Sequence, residues 1–202
     1  YGFHLDAARR GSFAVTLEAT MRDPADWGAL GKIVGHPHQD YFAVPVFEGV
    51  REMPLSDDLK HLGASLASYG SHAMYHVVGV TPEAPTAAAA FGGREATAHM
   101  RVTDADIEAV YRAYRFVPAE RNVVVFSGPQ LSIFEMQRLA ELFRGRKVAP
   151  GMHCFVTTNH AIFSDAERLG YLKVLDDPGV TVLRGVRFYI LQRLTEIRVE
   201  NG

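Results

Sequence analysis

Residues 59–84 read LKHLGASLASYGSHAMYHVVGVTPEA, and their pattern decides the fold class. Ser56, Asp57 and Asp58 come just before, a hydroxyl and two carboxylates suited to the positive end of a helix. Leu59, Leu62, Leu66 and Ala67 then recur at helical spacing and give one apolar stripe. Small residues (Gly63, Ala64, Ser65, Ser68) fill most of the remainder, so the helix can pack closely on two sides. Tyr69-Gly70-Ser71 breaks it, and residues 73–80 read as a buried strand. Thr81 as N-cap and Pro82 at the first helical position start a second helix, which runs to Phe91 and stops at Gly92-Gly93. A helix–strand–helix unit with polar residues at the strand's end is where open α/β sheets place their sites.

Working outward, residues 13–20 alternate Phe13, Val15 and Leu17 with Ala14, Thr16 and Glu18, a half-buried strand. Residues 22–35 form a helix with Asp23 as cap, Pro24 at its first position and Gly35 at its end. Trp27, Leu30, Ile33 and Val34 make its buried face. Pro45 marks the strand over 41–47 as an edge. Downstream come a strand over 96–102 and a helix over 105–116, capped by Thr103 or Asp104, with Ile107, Val110, Tyr111 and Tyr114 on one face. The run VVVF within 121–126 predicts a fully buried strand. A helix over 131–144 follows, with Leu131, Phe134, Leu139, Leu142 and Phe143 inward. Then come a strand over 152–157, a helix over 160–170 behind Asn159, a turn at 176–179, a strand pair near 180–191 and a charged tail after Gln192. Alternation of this length predicts an α/β layered fold with a mostly parallel sheet. We expect residues 1–55 to pack on a partner or on a preceding half, and residues 56–202 to form the α/β core.

With 202 residues, 48% of them hydrophobic, the chain can bury one substantial core as one or two domains. A net charge of −2 gives no case for nucleic acid or an anionic membrane. No apolar run approaches the roughly 18–20 residues of a membrane helix, and no signal-peptide pattern opens the chain. The single cysteine, Cys154, excludes an internal disulfide framework and a self-contained cysteine-ligated cluster, and suits the cytoplasm. The chain opens at Tyr1, not at a Met, as a segment of a longer product would. There is no dinucleotide-binding glycine motif, phosphate-binding loop or nucleophile elbow.

The polar residues of the central unit and of the turns after strands are the candidate site. Lys60, His76 and Glu83 are the candidate catalytic groups. Lys60 reads as an anion contact or a base, or as a first-turn lysine paired with Asp57. His76 reads as a cleft residue or a hydrogen-bonded core histidine, and Glu83 as a base or a helix-dipole partner. Ser71, Thr81, Ser127, Gln130, Thr157, Thr158 and Asn159 are the candidate substrate contacts. His36-Pro37-His38-Gln39-Asp40 has metal-ligand residue types, but we read it as a solvated loop and expect no metal site.

Five stretches carry a family resemblance: LKHLGASLASYGS at 59–71, YHVVGVTPEAPT at 75–86, DPADWGALGKIVG at 23–35, LSIFEMQRLAELFRGRKV at 131–148 and AERLGYLKVL at 166–175. In the same order they resemble aconitase X, the iron–sulfur dehydratases of cis-3-hydroxyproline and of phosphomevalonate. The likeness covers nearly the whole chain and corresponds to roughly the C-terminal half of a family large subunit. It implies an aconitase-like α/β/α fold and lyase or isomerase chemistry of the dehydratase type on a small hydroxy or amino acid. It also implies a cleft completed by a second polypeptide or by a homo-oligomer, and a lysine at the position of Lys60. In the family a cluster can supply the Lewis acid, and cysteine thiolates hold it. The resemblance puts two such cysteines in turns that here read Ser127-Gly128-Pro129-Gln130 and Arg184-Gly185-Val186, with Gly128 and Val186 at the ligand places. We therefore expect no cofactor held by this chain, and an iron–sulfur cluster only if a partner chain supplies ligands. The expectation is an enzyme of altered or cluster-independent chemistry, with a non-catalytic partner subunit as the alternative.

Overall fold

The structure is a computed structural model and describes residues 2–114 and 123–186. It divides into two units, residues 1–115 and 116–202. Among the described residues every strand pair is parallel, as the alternating pattern requires.

The first unit is built on a four-stranded sheet: β1 (Phe13–Leu17), β2 (Pro45–Glu48), β3 (His76–Val77) and β4 (His99–Val102), in the order β3-β2-β1-β4. The break expected after residue 55 falls inside this unit, because β1 and β2 share a core with the helix that follows. On one face Phe13, Val15, Leu17, Phe47, Val77 and Val102 meet α1 (Pro24–Gly35), α2 (Ser56–Gly70) and α4 (Asp104–Ala113) through Trp27, Leu30, Val34, Leu62, Leu66 and Ile107. On the other, Ala14 and Val46 meet Ala84 and α3 (Ala87–Phe91) through Ala90 and Phe91. Both faces are covered, so each strand alternates between two cores and not between core and water.

The caps decide where the helices begin. Asp23 accepts from Ala25 N at 2.9 Å, and Asp26 reaches back to Asp23 N, so α1 starts at Pro24 as the sequence implies. Asp58, not Ser56, caps α2, its Oδ2 accepting from Leu55 N at 2.8 Å. Ser71 ends α2 with a left-handed φ of 57°.

Several expectations are corrected. The strand over 73–80 shrinks to two residues. Gly79 turns the chain at φ 77°, and Thr81 hooks back, its Oγ1 accepting from Val77 N at 3.0 Å. Thr81 therefore ends a strand where it was expected to start a helix. The helix begins at Ala87, capped by Thr86 through Ala89 N at 3.1 Å. Pro45 sits at the first residue of β2, which is an interior strand of the sheet; the first position is where a missing N–H is tolerated.

The second unit carries β5 (Val123–Phe126), β6 (His153–Thr158) and β7 (Val180–Arg184) in that order. Helices α5 (Ile133–Phe143), α6 (His160–Arg168) and α7 (Tyr171–Asp176) cover them. Its core joins Met136, Leu139 and Ala140 of α5 to Cys154, Val156, Ala166, Leu175 and Val180. Among the described residues β5 lies at the edge of this sheet and adds nothing to that core, and Val124 and Phe126 are 41% and 37% exposed on a strand expected to be fully buried. The inward face of α5 is also rotated from expectation: Phe134 and Leu142 are exposed while Met136 and Ala140 are buried. The strand expected up to residue 191 and the tail lie partly or wholly outside the described residues, as does the end of the helix expected to reach 116. No helix among the described residues is long and apolar enough to cross a membrane.

Candidate functional site

Of the three candidate catalytic groups, the fold ties two to one arginine. The Arg9 guanidinium grips Glu83, with Nε 2.8 Å from Oε1 and 2.7 Å from Oε2, and Nη1 donates to Phe3 O at 2.7 Å. This hydrogen-bonded pairing holds the Glu83 carboxyl below its ordinary range. A carboxylate so stabilised is a poor base near neutrality. His76 is 3% exposed, and its Nε2–H donates to Arg9 O at 2.6 Å. Together these contacts fasten the N-terminal turns to the β3 end of the sheet. Lys60 stands half-buried just past the first turn of α2, with Nζ 3.2 Å from Asp57 Oδ1. Ser71 and Thr81 serve as the α2 C-cap and the β3 turn described above.

In the second unit, the turns after all three strands gather at the carboxyl edge of the sheet. Thr157 Oγ1 donates to Ser127 Oγ at 2.8 Å, and the Gln130 amide donates to Val186 O at 3.1 Å. Thr158 Oγ1 donates to Leu131 O at 2.7 Å, and Asn159 caps α6 through Ile162 N at 2.9 Å. Thr157 and Thr158 are fully buried, so both hold loops together and offer nothing to a solute. Ser127 and Gln130 are half-buried at this edge, and Asn159 is exposed but engaged as the α6 cap.

The donors here do not fit an iron–sulfur cluster. Gly128 and Val186 carry no ligating side chain. Cys154 is 5% exposed within the core of the second unit, and burial pushes its thiol pKa up, away from the thiolate a metal needs. Among the described residues no three His, Cys, Asp or Glu side chains group as a metal site. That covers the 36–40 loop, where His38 lies against the Phe13 ring at 4.7 Å and Asp40 accepts from Phe42 N at 2.9 Å.

Sequence reasoning missed the carboxyl edge of the first sheet. The strand order reverses between β1 and β4, the usual place for a ligand crevice, but that crevice is closed. Thr20 N donates to Asp104 Oδ1 at 3.0 Å, and Glu18 N and Ala19 N both donate to Val102 O. The opening lies on the other side, where a cavity of about 250 Å³ sits beyond the ends of β1 and β2. Leu17, Ala19, Trp27 and Val50 line it, together with Arg51, Glu52 and Asp58. Arg51 Nη1 lies 3.4 Å from Thr20 Oγ1, and its Nη2 lies 3.3 Å from Glu18 O. The signal was present in the sequence: a charged Arg-Glu pair just after a strand and just before a capped helix.

Comparison with known proteins covers both units. The family profile for the second domain of aconitase X matches residues 11–112, and that for the third domain matches residues 121–201. The phosphomevalonate dehydratase large subunit of Methanothermobacter thermautotrophicus is 35% identical over 91% of this chain and 43% of its own length. The cis-3-hydroxy-L-proline dehydratase of Hypocrea jecorina is 34% identical over 90% of this chain and 31% of its own. The crystal structure of aconitase X from Thermococcus kodakaraensis superposes with a TM-score of 0.83 at 28% identity, covering 93% of this chain and 47% of that one. The chain thus spans less than half the length of each of these proteins.

Proposed function

The chain belongs to the aconitase X family, and from that premise we propose that it takes part in a dehydration: loss of water from a small hydroxy acid or hydroxylated amino acid. One observation carries the reading. Both halves of the chain match the family, and the matched relatives named above are dehydratases of such molecules. We place the protein in the cytoplasm, in an assembly with a second polypeptide or a second copy that completes the cleft. Relatives named as large subunits support the second polypeptide.

Dehydration needs a base for the proton beside the carboxylate and help for the departing hydroxyl. A Lewis acid such as an iron–sulfur cluster would give that help by polarising the hydroxyl, and thiolates to hold it would have to come from outside these residues. This chain's own residues bind and orient. Lys60, near the start of α2, is the candidate for an anion contact or a base. Ser127 and Gln130, at the carboxyl edge of the second sheet, are candidates for polar contacts. His76 and Glu83 hold the N-terminal turns in place, and Ser71, Thr81, Thr157, Thr158 and Asn159 hold loops.

The absence of side-chain ligands at Gly128 and Val186 favours a second reading, a non-catalytic partner subunit that keeps the scaffold. Proton NMR of the anaerobically purified assembly with cis-3-hydroxy-L-proline or phosphomevalonate separates the two. Water loss that Lys60→Met cuts by about 100-fold or more, the usual scale for a proton-transfer group, supports the enzyme reading with Lys60 in it. Turnover unchanged in Lys60→Met removes Lys60 from the chemistry. No turnover by an assembly with its partner bound supports the scaffold.

A further inference from the structure

We propose that the cavity at the carboxyl ends of β1 and β2 binds the zwitterion of a small amino or imino acid, with its carboxylate on Arg51 and its ammonium facing Glu52 and Asp58. The inference rests on the dehydratase reading and narrows it, since the relatives divide between a phosphorylated hydroxy acid and a hydroxylated imino acid.

Position comes first. The cavity lies outside the carboxyl ends of two adjacent parallel strands and against the first turn of α2, where a parallel sheet offers ligands its loops and a helix terminus. The crevice between β1 and β4 is occupied by the protein's own hydrogen bonds, and the cavity opens beside it.

Chemistry comes second. Arg51 is braced on two groups at the end of β1, Thr20 Oγ1 and Glu18 O. A guanidinium presents its donors in a fixed fork. Two contacts to β1 orient that fork and leave its other donors for a carboxylate, which it matches two-to-two. Asp58 accepts from Leu55 N through Oδ2, which fixes its carboxylate at the cavity wall with the other oxygen available. Glu52 lines the same wall.

Charge decides between the ligand classes. The lining holds one cation and two carboxylates. A phosphate monoester brings a charge of about −1.5 to −2 near neutrality, and a carboxylate besides. Against one guanidinium and two carboxylates it is repelled on balance. A zwitterion brings one charge of each sign and finds a partner for both. The apolar wall of Leu17, Ala19, Trp27 and Val50 suits a short carbon skeleton or a five-membered ring, and about 250 Å³ holds a molecule of that size.

The test is titration calorimetry on the full chain in its natural assembly, with cis-3-hydroxy-L-proline and phosphomevalonate as the two probes. Saturable binding of the imino acid is expected, weakened at least tenfold in Arg51→Gln and in the Glu52→Gln/Asp58→Asn pair, with phosphomevalonate binding far more weakly. Thermal unfolding of Arg51→Gln should match the parent, because that side chain is exposed. Binding of phosphomevalonate in preference to the imino acid overturns the proposal, and so does equal binding of the imino acid by Arg51→Gln, or binding of neither probe. Water loss followed in the same samples keeps the two readings apart. Imino acid bound through Arg51 but never dehydrated leaves the site standing and sinks the dehydratase reading. Dehydration of phosphomevalonate, indifferent to Arg51→Gln, does the reverse.

Discussion

Arg9 and Glu83 show what one side-chain pair does for a chain whose first turns have little core of their own. Phe3 packs on the rings of Tyr41 and Phe42 at 5.7 and 6.0 Å, outside the hydrophobic clusters, and the guanidinium and the His76 contact to Arg9 O add polar fastening. The Glu83 carboxyl titrates below its ordinary range when folded, because of the hydrogen bonds from Arg9. The stabilisation it gives is therefore complete above the unfolded carboxyl value. It is lost as pH falls through the depressed folded one. Amide exchange at Ala8 and Arg9, whose N–H groups bond to Leu5 O and Asp6 O, should accelerate in that acid window while Val15 stays protected. Glu83→Gln should show the loosened exchange already at neutral pH. Protection at Ala8 that is flat from neutral pH down to the acid window would mean that the pair does not dock the segment.

At the scale of elements, α1 and α2 meet along small residues. A Cβ added at Gly31 would lie 2.6 Å from Ser65 Cβ and 2.9 Å from Leu62 O, while one at Gly28 meets nothing within 4 Å. The pair makes an internal control. Gly31→Ala should lose about 1–3 kcal/mol to overpacking. Gly28→Ala should gain about 0.5–1 kcal/mol from helix propensity. Urea unfolding of both variants reads the difference, and a Gly31→Ala variant no less stable than the parent would refute the close approach. The small residues of 59–71 announced this contact in the sequence, as Asp23-Pro24 announced the start of α1. What the sequence did not announce was decided by tertiary choices. The apolar run 73–80 could not say that Gly79 would turn and Thr81 would hook back. The run VVVF could not say that the helices would centre on β6 and β7 and leave β5 half covered. The candidate site was least legible of all. Thr20 with Asp104, Arg9 with Glu83 and Gln130 with Val186 are partners 84, 74 and 56 residues apart, and no local pattern pairs them.

For the whole molecule, the hydrophobic clusters respect the division into two units: two draw only on residues 13–110, and the third only on residues 131–182. A fragment of residues 2–114 should therefore keep its helical circular dichroism and unfold in one cooperative urea transition. A gradual, featureless loss of signal would show that its core needs the rest of the chain. The described part of the second unit, with three strands and a small core, is nearer the size at which a domain stands alone only marginally.

The strand order β3-β2-β1-β4 also sets a timetable. During synthesis β1 leaves the ribosome before its neighbours and finds β2 about 30 residues later, a modest loop to close. Its other neighbour, β4, pairs Ala14 with His99, 85 positions downstream. The β1–β4 seam at the rim of the sheet is thus the last to be sewn, and until then one edge of Val15 and Leu17 stands open to any other strand that passes. A ribosome that stalls before His99 holds out that open edge, which makes the interrupted chain, and not the finished one, the form most exposed to aggregation.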